Sequence, residues 1–312
     1  MTRDSIISYI DYWKERSGFS ESFFLTRLGL SRCRMGDWRT RRGCDNRHNG
    51  TVPKANWLEE WEKRLIVDYY LSHPLEGYRR ITYMMIDEDL VATTSATVYR
   101  VLKATGVMRK WNGKISKKGD GFKQPDRPHA HWHTDVSYIN ISGTFYYLCA
   151  VLDGYSRYVV HWEIRERMET RDIEIIQQRA LEKFPGQKTR LISDNGPQFI
   201  SRGFKEFVRL SGLTHVRTSP FYPQSNGKIE RFHGTYKQEC VRPKTPLSLD
   251  DARRVTEKFV SHYNEVRLHG AIGYVTPKTK LEGREAEVFR IRNERLKIAK
   301  ERRSKNSRKR VD

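Results

Sequence analysis

The stretch from Ser193 to Glu239 reads SDNGPQFISRGFKEFVRLSGLTHVRTSPFYPQSNGKIERFHGTYKQE and decides how the rest of the chain is interpreted. Asp194 ends a short apolar run that predicts a β-strand, and Glu230 lies early in a segment with the spacing of an amphipathic helix. Between these two acids lie 35 residues. A third acid, Asp135, lies in the alternating segment HWHTDVSYINI, which predicts another strand. The sequence therefore predicts that three acids from distant parts of the chain lie on two strands and one helix.

Three such carboxylates are suited to holding divalent metal ions. Mg²⁺ prefers oxygen ligands and is usually held by a few carboxylates together with substrate phosphate. Two such ions stabilise both the attacking and the leaving oxygen of a phosphoryl displacement. Each acid also has a plainer interpretation, as a turn residue or as a helix N-terminal acid favoured by the dipole. Asp135 argues against that interpretation, because Asp inside a strand is disfavoured unless it has a partner.

The arrangement Asp135, Asp194, 35 residues, Glu230 resembles the D-D-35-E signature of retroviral-integrase-like transposases from bacterial insertion sequences. A basic residue, Lys237, follows seven positions after Glu230, where these enzymes carry one. The resemblance covers Trp132 to Pro277, and five segments carry it: HTDVSYI, VLDGYSRYVV, SDNGPQF, SPFYPQSNGKIERFHGTYKQE and YNEVRLHGAIGYVTP.

This resemblance implies an active site in which Asp135, Asp194 and Glu230 hold two Mg²⁺ ions, with Mn²⁺ able to replace them. It implies that a metal-activated water cuts DNA at the end of a mobile element. The freed 3′-hydroxyl then attacks a phosphodiester directly in strand transfer. Neighbouring residues are expected to touch the DNA end (Lys237, Lys228, Asn226, Gln224, Arg231) or to orient the acids (Asn195, His233).

The composition points to a polyanionic partner. The chain has 59 Lys+Arg against 38 Asp+Glu, a formal charge of +21, and its pI is near 9.9. Nucleic acid is the first candidate partner and an anionic membrane the second. No apolar run reaches the ~18 residues needed to span a bilayer, and residues 1–18 lack the apolar region of a signal peptide. These features weaken the membrane interpretation and favour the bacterial cytoplasm, in association with the nucleoid.

The four cysteines form no CxxC pair and fit a reducing compartment as free thiols. A zinc site built from Cys33, Cys44 and His48 is the alternative that stays open.

Residues 1–56 predict a helix-turn-helix module. Ser31 is placed to cap a basic helix after a turn, and the second helix of such a motif enters the major groove of DNA. The candidate DNA contacts on this helix are Arg34, Arg39 and Arg41. An ordinary helical subdomain with a solvated basic face is the alternative.

Residues 57–108 predict a second helix-turn-helix module of three helices. Its last helix begins after Thr94 or Ser95 and is ended by Gly106. The candidate DNA contacts there are Thr97, Arg100 and Lys103. A structural connector is the alternative, and residues 109–128 predict a basic linker.

Residues 129–282 predict the catalytic core, an α/β RNase H-like mixed five-stranded sheet flanked by helices. Strands are expected over His133–Ile141, Phe145–Leu152, Tyr158–Ile164 and Thr189–Asp194, with a helix capped by Thr170 before the last of these. Asp153 is interpreted as a structural turn residue. A metal cluster of His129, His131 and His133 is a weaker alternative, since the strand is expected to begin after the first two.

Residues 283–312 predict a basic tail with a weak helical stripe. Its end, RRSKNSRKR, is interpreted as a disordered arm that binds phosphates without sequence preference. A tail that only favours solubility is the alternative.

Taken together, these features predict a DNA transposase whose helical modules bind the terminal inverted repeats of its element. The expected partners are double-stranded DNA at the element ends and target, and a second copy of the chain, because pairing two ends requires at least a dimer. A separately encoded helix-turn-helix protein is a further candidate partner. The alternatives are a DNA-binding regulator with an inactive core, against which the complete acid triad argues, and a nuclease of RNA–DNA hybrids. The hybrid nuclease is disfavoured because A-form helices hide the groove that helix-turn-helix modules enter.

Overall fold

The structure is a computed structural model that describes residues 3–44, 57–108, 124–218 and 226–308. Two compact units make up the chain, residues 1–54 and residues 55–312. No helix in the described ranges has both the length and the apolar character required to span a bilayer.

The first unit is a small helical bundle. It contains α1 (Arg3–Ser17), α2 (Glu21–Arg27) and α3 (Arg32–Thr40). Its apolar centre is formed by four buried residues, Ile7, Ile10, Leu25 and Met35. Ser31 caps α3 as predicted, because its hydroxyl accepts a hydrogen bond from the Arg34 amide at 3.2 Å. The helix–turn–basic helix succession inferred from the sequence is therefore present in this unit.

The second unit begins with three helices, α4 (Glu60–Ser72), α5 (Tyr78–Asp87) and α6 (Ser95–Ala104). They share a core of Ile66, Ile81, Met85, Val98 and Leu102. Thr94 caps α6, with its hydroxyl accepting from the Thr97 amide at 3.3 Å. The first of these helices begins three residues after Trp57, the expected start of the module. Glu59 and Glu62 form a capping box that starts α4 at residue 60.

A mixed sheet of five strands forms the centre of the second unit, as predicted. The strands are β1 (His131–Ile141), β2 (Thr144–Asp153), β3 (Val159–Arg165), β4 (Arg190–Ser193) and β5 (Thr214–Arg217). Their order across the sheet is β3-β2-β1-β4-β5. β1, β2 and β3 pair antiparallel, whereas β4 pairs parallel with both β1 and β5. The first strand begins at residue 131, two positions before the prediction.

Helices cover both faces of this sheet. One face packs α10 (Gly227–Tyr236) and α12 (Leu249–Glu265), and the other packs α7 (Thr170–Lys183), α8 (Pro197–Ile200) and α9 (Arg202–Leu210). The consequence is visible along β2, where residues 148–153 are buried without alternation because alternate side chains enter opposite cores. Helix α7 is capped by Glu169 rather than by the predicted Thr170, because Glu169 and Asp172 form a capping box.

The chain continues through a π-helical turn (Lys237–Val241) and α11 (Arg242–Lys244) into α12, and then through a 3-10 turn (Gly270–Ile272) and α13 (Pro277–Leu281) into α14 (Glu285–Arg308). The prediction of a disordered arm was wrong for the residues up to 308. Arg303 of α14 pairs with Glu62 at 2.9 Å, and Arg292 pairs with Asp87 at 2.6 Å. Both acids lie more than 200 positions earlier in the chain, so the sequence near α14 does not reveal that its arginines have partners.

Candidate active site

Asp135 lies in the middle of β1, opposite Ala150 of β2. Its Oδ1 accepts a hydrogen bond from the Val136 amide at 2.9 Å, and its side chain is 19% exposed. Burial, together with the negative charges of Asp194 and Glu230, raises the pKa of Asp135 to about 7. The three acids therefore lie close enough for the charge of each to affect the others.

Asp194 directly follows β4, and the sheet register explains why it lies near Asp135. Trp132 pairs with Leu191 and His133 with Ile192 in the parallel ladder between β1 and β4. Continuing this register by two residues brings Asp194 level with Asp135, on neighbouring strands about 4.8 Å apart. Asp194 Oδ1 accepts from the Gly196 amide at 2.9 Å, which holds its carboxylate at the strand end.

The turn after Asp194 is fixed by two residues of the predicted motif. Asn195 donates from Nδ2 to the Thr218 carbonyl at 2.8 Å and so ties this turn to the end of β5. A Cβ at Gly196 would lie 3.1 Å from Asp194 Oδ1, closer than most such contacts. Asn195 therefore acts on the position of Asp194 through the backbone rather than by bonding to its carboxylate.

Glu230 lies in the first turn of α10 and is exposed. The buried stripe of the helix is formed by Ile229, Phe232 and Tyr236, as predicted from their spacing. This packing directs Glu230 away from the core. Helix α10 has Asn226 as its N-cap residue, not the predicted Ser225. Ser225 and Gln224 lie outside the described residues.

His233 lies one turn after Glu230 and comes nearest to Asp135, with its Nε2 3.8 Å from Asp135 Oδ2. Burial lowers the pKa of His233 to about 3, so the ring is neutral near pH 7. Neither ring nitrogen has a hydrogen-bond partner among the described residues. The positive charge of Lys237 lowers the pKa of Asp135, which places this lysine within electrostatic reach of the acids.

The surroundings of the acids fit a divalent cation. Among the described residues, the ion pairs include no arginine or lysine with Asp135, Asp194 or Glu230. Three carboxylates left without a cationic partner repel one another, and a bound cation would relieve that repulsion. Within the same residues no three His, Cys, Asp or Glu side chains are already gathered at metal-binding distances. The carboxylates would therefore have to close around an ion when it binds.

The alternative histidine cluster is not supported by the geometry. Nδ1 of His129 accepts from the indole of Trp132 at 3.1 Å, and the His129 amide donates to Asp153 at 2.9 Å. His133 is buried against Gly154, where a Cβ would lie 2.8 Å from its Nε2. Asp153 also accepts from the amide and hydroxyl of Ser156, which confirms its structural role in the turn. The zinc alternative depends on His48, which lies outside the described residues.

The DNA contacts predicted around α10 have different exposures. Asn226 is 3% exposed, with its Oδ1 buried and lacking a partner among the described residues. Lys228 is half-buried and donates to the Gly154 carbonyl at 2.9 Å. Burial, together with the positive charge of Arg157, lowers the pKa of Lys228 to about 7. Arg231 is exposed to solvent.

The contacts predicted on the two helical modules lie mostly at their surfaces. Arg34, Arg39, Arg41, Arg100 and Lys103 are exposed. Arg39 forms an ion pair with Asp11 at 2.6 Å, so part of its charge is compensated. The Thr97 hydroxyl lies 3.0 Å from the Thr94 hydroxyl at the start of α6, which makes Thr97 part of the helix cap.

A cleft of about 460 Å³ beside α10 was not predicted from the sequence. Its lining includes Arg80 from α5, Arg157 from the turn between β2 and β3, and Arg267 after α12. Lys228 and Arg231 complete this group. We call these five residues and the space between them the cationic cleft. Lys228 and Arg231 were predicted as DNA contacts, whereas Arg80, Arg157 and Arg267 are far apart in the chain and share no spacing signal, so sequence reasoning did not find them.

Comparison with known proteins identifies the domain that contains the three acids. Two models described as integrase core domain match residues 125–223 and residues 211–277. A transposase for the insertion sequence element IS629 of Shigella sonnei is 24% identical over 243 residues, which are 74% of this chain and 81% of that protein. An uncharacterized 39.2 kDa protein of the insertion element IS476 of Xanthomonas euvesicatoria is 25% identical over 218 residues. This chain covers 62% of that protein, and the match covers 68% of this chain.

Among solved structures, the magnesium complex of the HTLV-2 integrase catalytic core domain is 21% identical, with a TM-score of 0.41. The aligned region covers 50% of this chain and 98% of that structure. The two domain models, and not this structural match, identify residues 125–277 as an integrase core domain, which is the domain of a DDE polynucleotidyl transferase family.

Proposed function

We propose that this chain is a DNA transposase that binds the terminal inverted repeats of a mobile element, cuts at the element ends and joins the 3′-hydroxyl to DNA. One observation carries the proposal. Asp135 on β1, Asp194 after β4 and Glu230 on α10 lie within reach of one another's charge in an integrase core domain, and none of them forms an ion pair with an arginine or lysine of the described residues. Such a group is arranged to bind divalent cations and, through them, a phosphodiester.

The three acids are the proposed ligands of two Mg²⁺ ions. When bound, the ions would lower the pKa of an attacking water and stabilise the charge on the leaving oxygen. Asp135 and Asp194 are fixed by strand register and by backbone hydrogen bonds, whereas exposed Glu230 has more freedom to move onto an ion. Neutral His233 packs beside Asp135 without competing for a cation as a charged group would.

Basic residues near the acids are the proposed contacts for the DNA end. Lys237 begins the π-helical turn that directly follows α10, and it lies within electrostatic reach of Asp135. Exposed Arg231 adds a positive charge next to Glu230. A phosphate held by these groups would approach the acids with its charge already partly compensated.

The helical segments are the proposed binding modules for the terminal repeats. Exposed Arg34 and Arg41 on α3, and Arg100 and Lys103 on α6, are suited to contacts with phosphates or base edges. Two ends must be brought together for transposition, so the active form is proposed to contain at least two copies of the chain. This activity belongs in the bacterial cytoplasm, where its DNA substrate lies.

The test is cleavage and strand transfer on a labelled duplex that carries the DNA flanking this gene, with Mg²⁺ or Mn²⁺. Wild type is compared with Asp194→Asn, and Asp250→Asn is the matched control because Asp250 is an exposed acid on α12. We expect joined products from wild type and from the control, and DNA binding without cutting from Asp194→Asn. The cleavage rate of Asp194→Asn should be lower than that of wild type by at least about two orders of magnitude. The reason is that a neutral amide binds Mg²⁺ more weakly than a carboxylate does.

The transposase proposal fails if wild type binds the duplex and does not cut it with either metal ion. It also fails if Asp194→Asn cuts as fast as the control. In the first case, a DNA-binding regulator with an inactive core becomes the better description.

A further inference from the structure

The cationic cleft brings five positive side chains together from separate parts of the second unit. Arg80 belongs to α5, Arg157 follows β2, Lys228 and Arg231 belong to α10, and Arg267 follows α12. Among the described residues, none of those that line the cleft is an acid. Like charges gathered in a partly enclosed space raise the free energy of the folded chain unless an anion compensates them.

Two of the five cations already have acidic partners. Arg80 pairs with Glu76, which lies just before α5, and Arg267 pairs with Glu239 at 2.5 Å. Their charges are therefore compensated in large part before any ligand binds, although the Nε of Arg80 is buried and has no partner among the described residues.

The other three cations are less well compensated. Arg157 has a buried Nη1 with no hydrogen-bond partner among the described residues, and burial lowers its pKa. Among the described residues, Lys228 donates a hydrogen bond only to a carbonyl oxygen, and the positive charge of Arg231 lowers the pKa of Arg157. Buried Asp153 lies near Arg157 and Lys228, but its oxygens already accept from His129 and Ser156.

The position of the cleft connects it to both proposed DNA-binding regions. Lys228, Arg231 and Thr235 follow each other at helical spacing along one side of α10, and Glu230 begins the neighbouring side. On the other wall, Arg80 lies in the first turn of α5, where the Tyr78 ring contacts Tyr99 of α6 at a centroid distance of 5.3 Å. The cleft therefore lies between the helix proposed to hold DNA and the three acids.

We propose that the cationic cleft binds a backbone phosphate of duplex DNA that passes from the second helical module to the three acids. Arg157, Lys228 and Arg231 supply the charge, and the Nη1 of Arg157 has no hydrogen-bond partner among the described residues. The contact is to phosphate, so it is independent of sequence and sensitive to salt. This inference rests on the proposed function for the identity of the ligand as DNA.

The experiment uses the full chain and a fluorescent blunt-ended duplex, with binding measured by anisotropy over a series of salt concentrations. Arg157→Gln removes the buried charge, Arg157→Lys keeps it, and Arg209→Gln is the matched control, since Arg209 is an exposed arginine on α9 paired with Glu206. We expect Arg157→Gln to lower the slope of log K against log salt by about one. Affinity should fall by about 3- to 10-fold near 0.1 M salt.

Arg157→Lys and Arg209→Gln should bind with the wild-type slope. A wild-type slope and affinity for Arg157→Gln would overturn the inference. Arg231→Gln provides the second variant, because its exposed side chain can be replaced without disturbing the fold. If Arg157→Gln has a lower melting temperature than wild type, the test rests on Arg231→Gln instead. A wild-type slope of log K against log salt for Arg231→Gln would then overturn the inference.

Cleavage by wild type, measured separately, distinguishes this inference from the proposed function. If the cleft variants lower the slope of log K against log salt but wild type never cuts DNA, phosphate binding in the cleft is supported and the transposase proposal is overturned. Efficient cutting by wild type, with both cleft variants binding as wild type does, supports the transposase and overturns the cleft. Absence of duplex binding by wild type overturns both.

Discussion

The C-terminal helix α14 and the cationic cleft are both rich in arginine, but two arginines of the cleft have surroundings opposite to those of the buried arginines in α14. In α14, Arg303 is 6% exposed and pairs with Glu62, which is fully buried, and Arg292 pairs with Asp87. In the cleft, Arg157 and Arg231 form no ion pair with an acid among the described residues. The comparison teaches that local positive charge does not identify a DNA-binding surface. Charges with buried partners hold the fold together, whereas uncompensated charges are available to a ligand.

The largest expected effect comes from breaking the α14 contact. Glu62→Gln would leave the buried guanidinium of Arg303 without its counter-ion, and Glu62 also accepts from the Glu59 amide at 2.9 Å in the helix cap. Breaking a buried pair in this way typically costs about 3–5 kcal/mol of unfolding free energy. Urea denaturation followed by circular dichroism measures the loss.

Glu60→Gln is the matched control for that loss, because Glu60 is an exposed acid on the same helix and pairs with Lys63 at the surface. Its effect should stay below about 1 kcal/mol. Equal stability of Glu62→Gln and Glu60→Gln would show that the α14 contact does not stabilise the fold. Combining Glu62→Met with Arg303→Met should recover part of the loss, because neither charge is then buried alone.

The three acids of the active site form a cluster of negative charge, opposite in sign to the cationic cleft. The pKa of Asp135 is raised to about 7, above its ordinary value of 3.8. Without metal, the ionised form is disfavoured in the folded state, so stability falls as the pH rises from about 4 to about 7. Asp135→Asn removes this loss and should stabilise the metal-free chain at pH 8 by up to about 4 kcal/mol, taking about 1.4 kcal/mol for each pKa unit.

Thermal melting in EDTA at pH 5 and pH 8 checks this prediction, with Asp250→Asn as the control. The gain of Asp135→Asn over wild type should be larger at pH 8 than at pH 5. Mg²⁺ should raise the melting temperature of wild type and leave Asp135→Asn unchanged, because only wild type keeps the full ligand set. A loss of stability at pH 8 in the Asn variant would contradict the assignment of Asp135 as an uncompensated acid.

The smallest effect on the unfolding free energy is expected for an arginine of the cleft, and it can be compared directly with the effect of replacing an arginine of α14. Arg157→Gln should leave the unfolding free energy within about 1 kcal/mol of wild type or raise it slightly, since it removes a partly buried charge that has no acidic partner. Arg303→Gln should be destabilising, because it removes the buried partner of Glu62 and leaves only the exposed Arg302 paired with that buried carboxylate. The two variants make the same chemical change, so urea denaturation of both compares only their surroundings. A similar loss of unfolding free energy for the two variants would show that the surroundings of Arg157 and Arg303 do not differ in the way proposed.

Several features of the site were predictable because they depend on local patterns. The buried stripe of Ile229, Phe232 and Tyr236 follows from helical spacing, and it directs Glu230 away from the core. Asp135 was expected inside a strand and Asp194 at a strand end, and both lie there. The five-stranded mixed sheet was also confirmed.

Other features were missed because they depend on contacts between distant segments. The fifth strand, Thr214–Arg217, has only four residues and no clear alternation, and it is defined by its pairing with β4. His133 was considered as a metal ligand from its position in the sequence, whereas it packs against Gly154 in the interior. The exposure of each proposed DNA contact likewise depended on neighbours, and Asn226 proved to be buried.

The sequence by itself determined the types of secondary structure, the positions of the three acids on them and the excess of positive charge. Periodicity, capping residues and composition are local properties, so they can be read without knowing which segments meet. Only the tertiary structure decided which charges have partners. Glu62 compensates Arg303 from 241 positions away, while Arg157, Lys228 and Arg231 meet across a cleft that no acid lines. The physical reason is that charge compensation depends on distance and burial in space, and neither is fixed by separation along the chain.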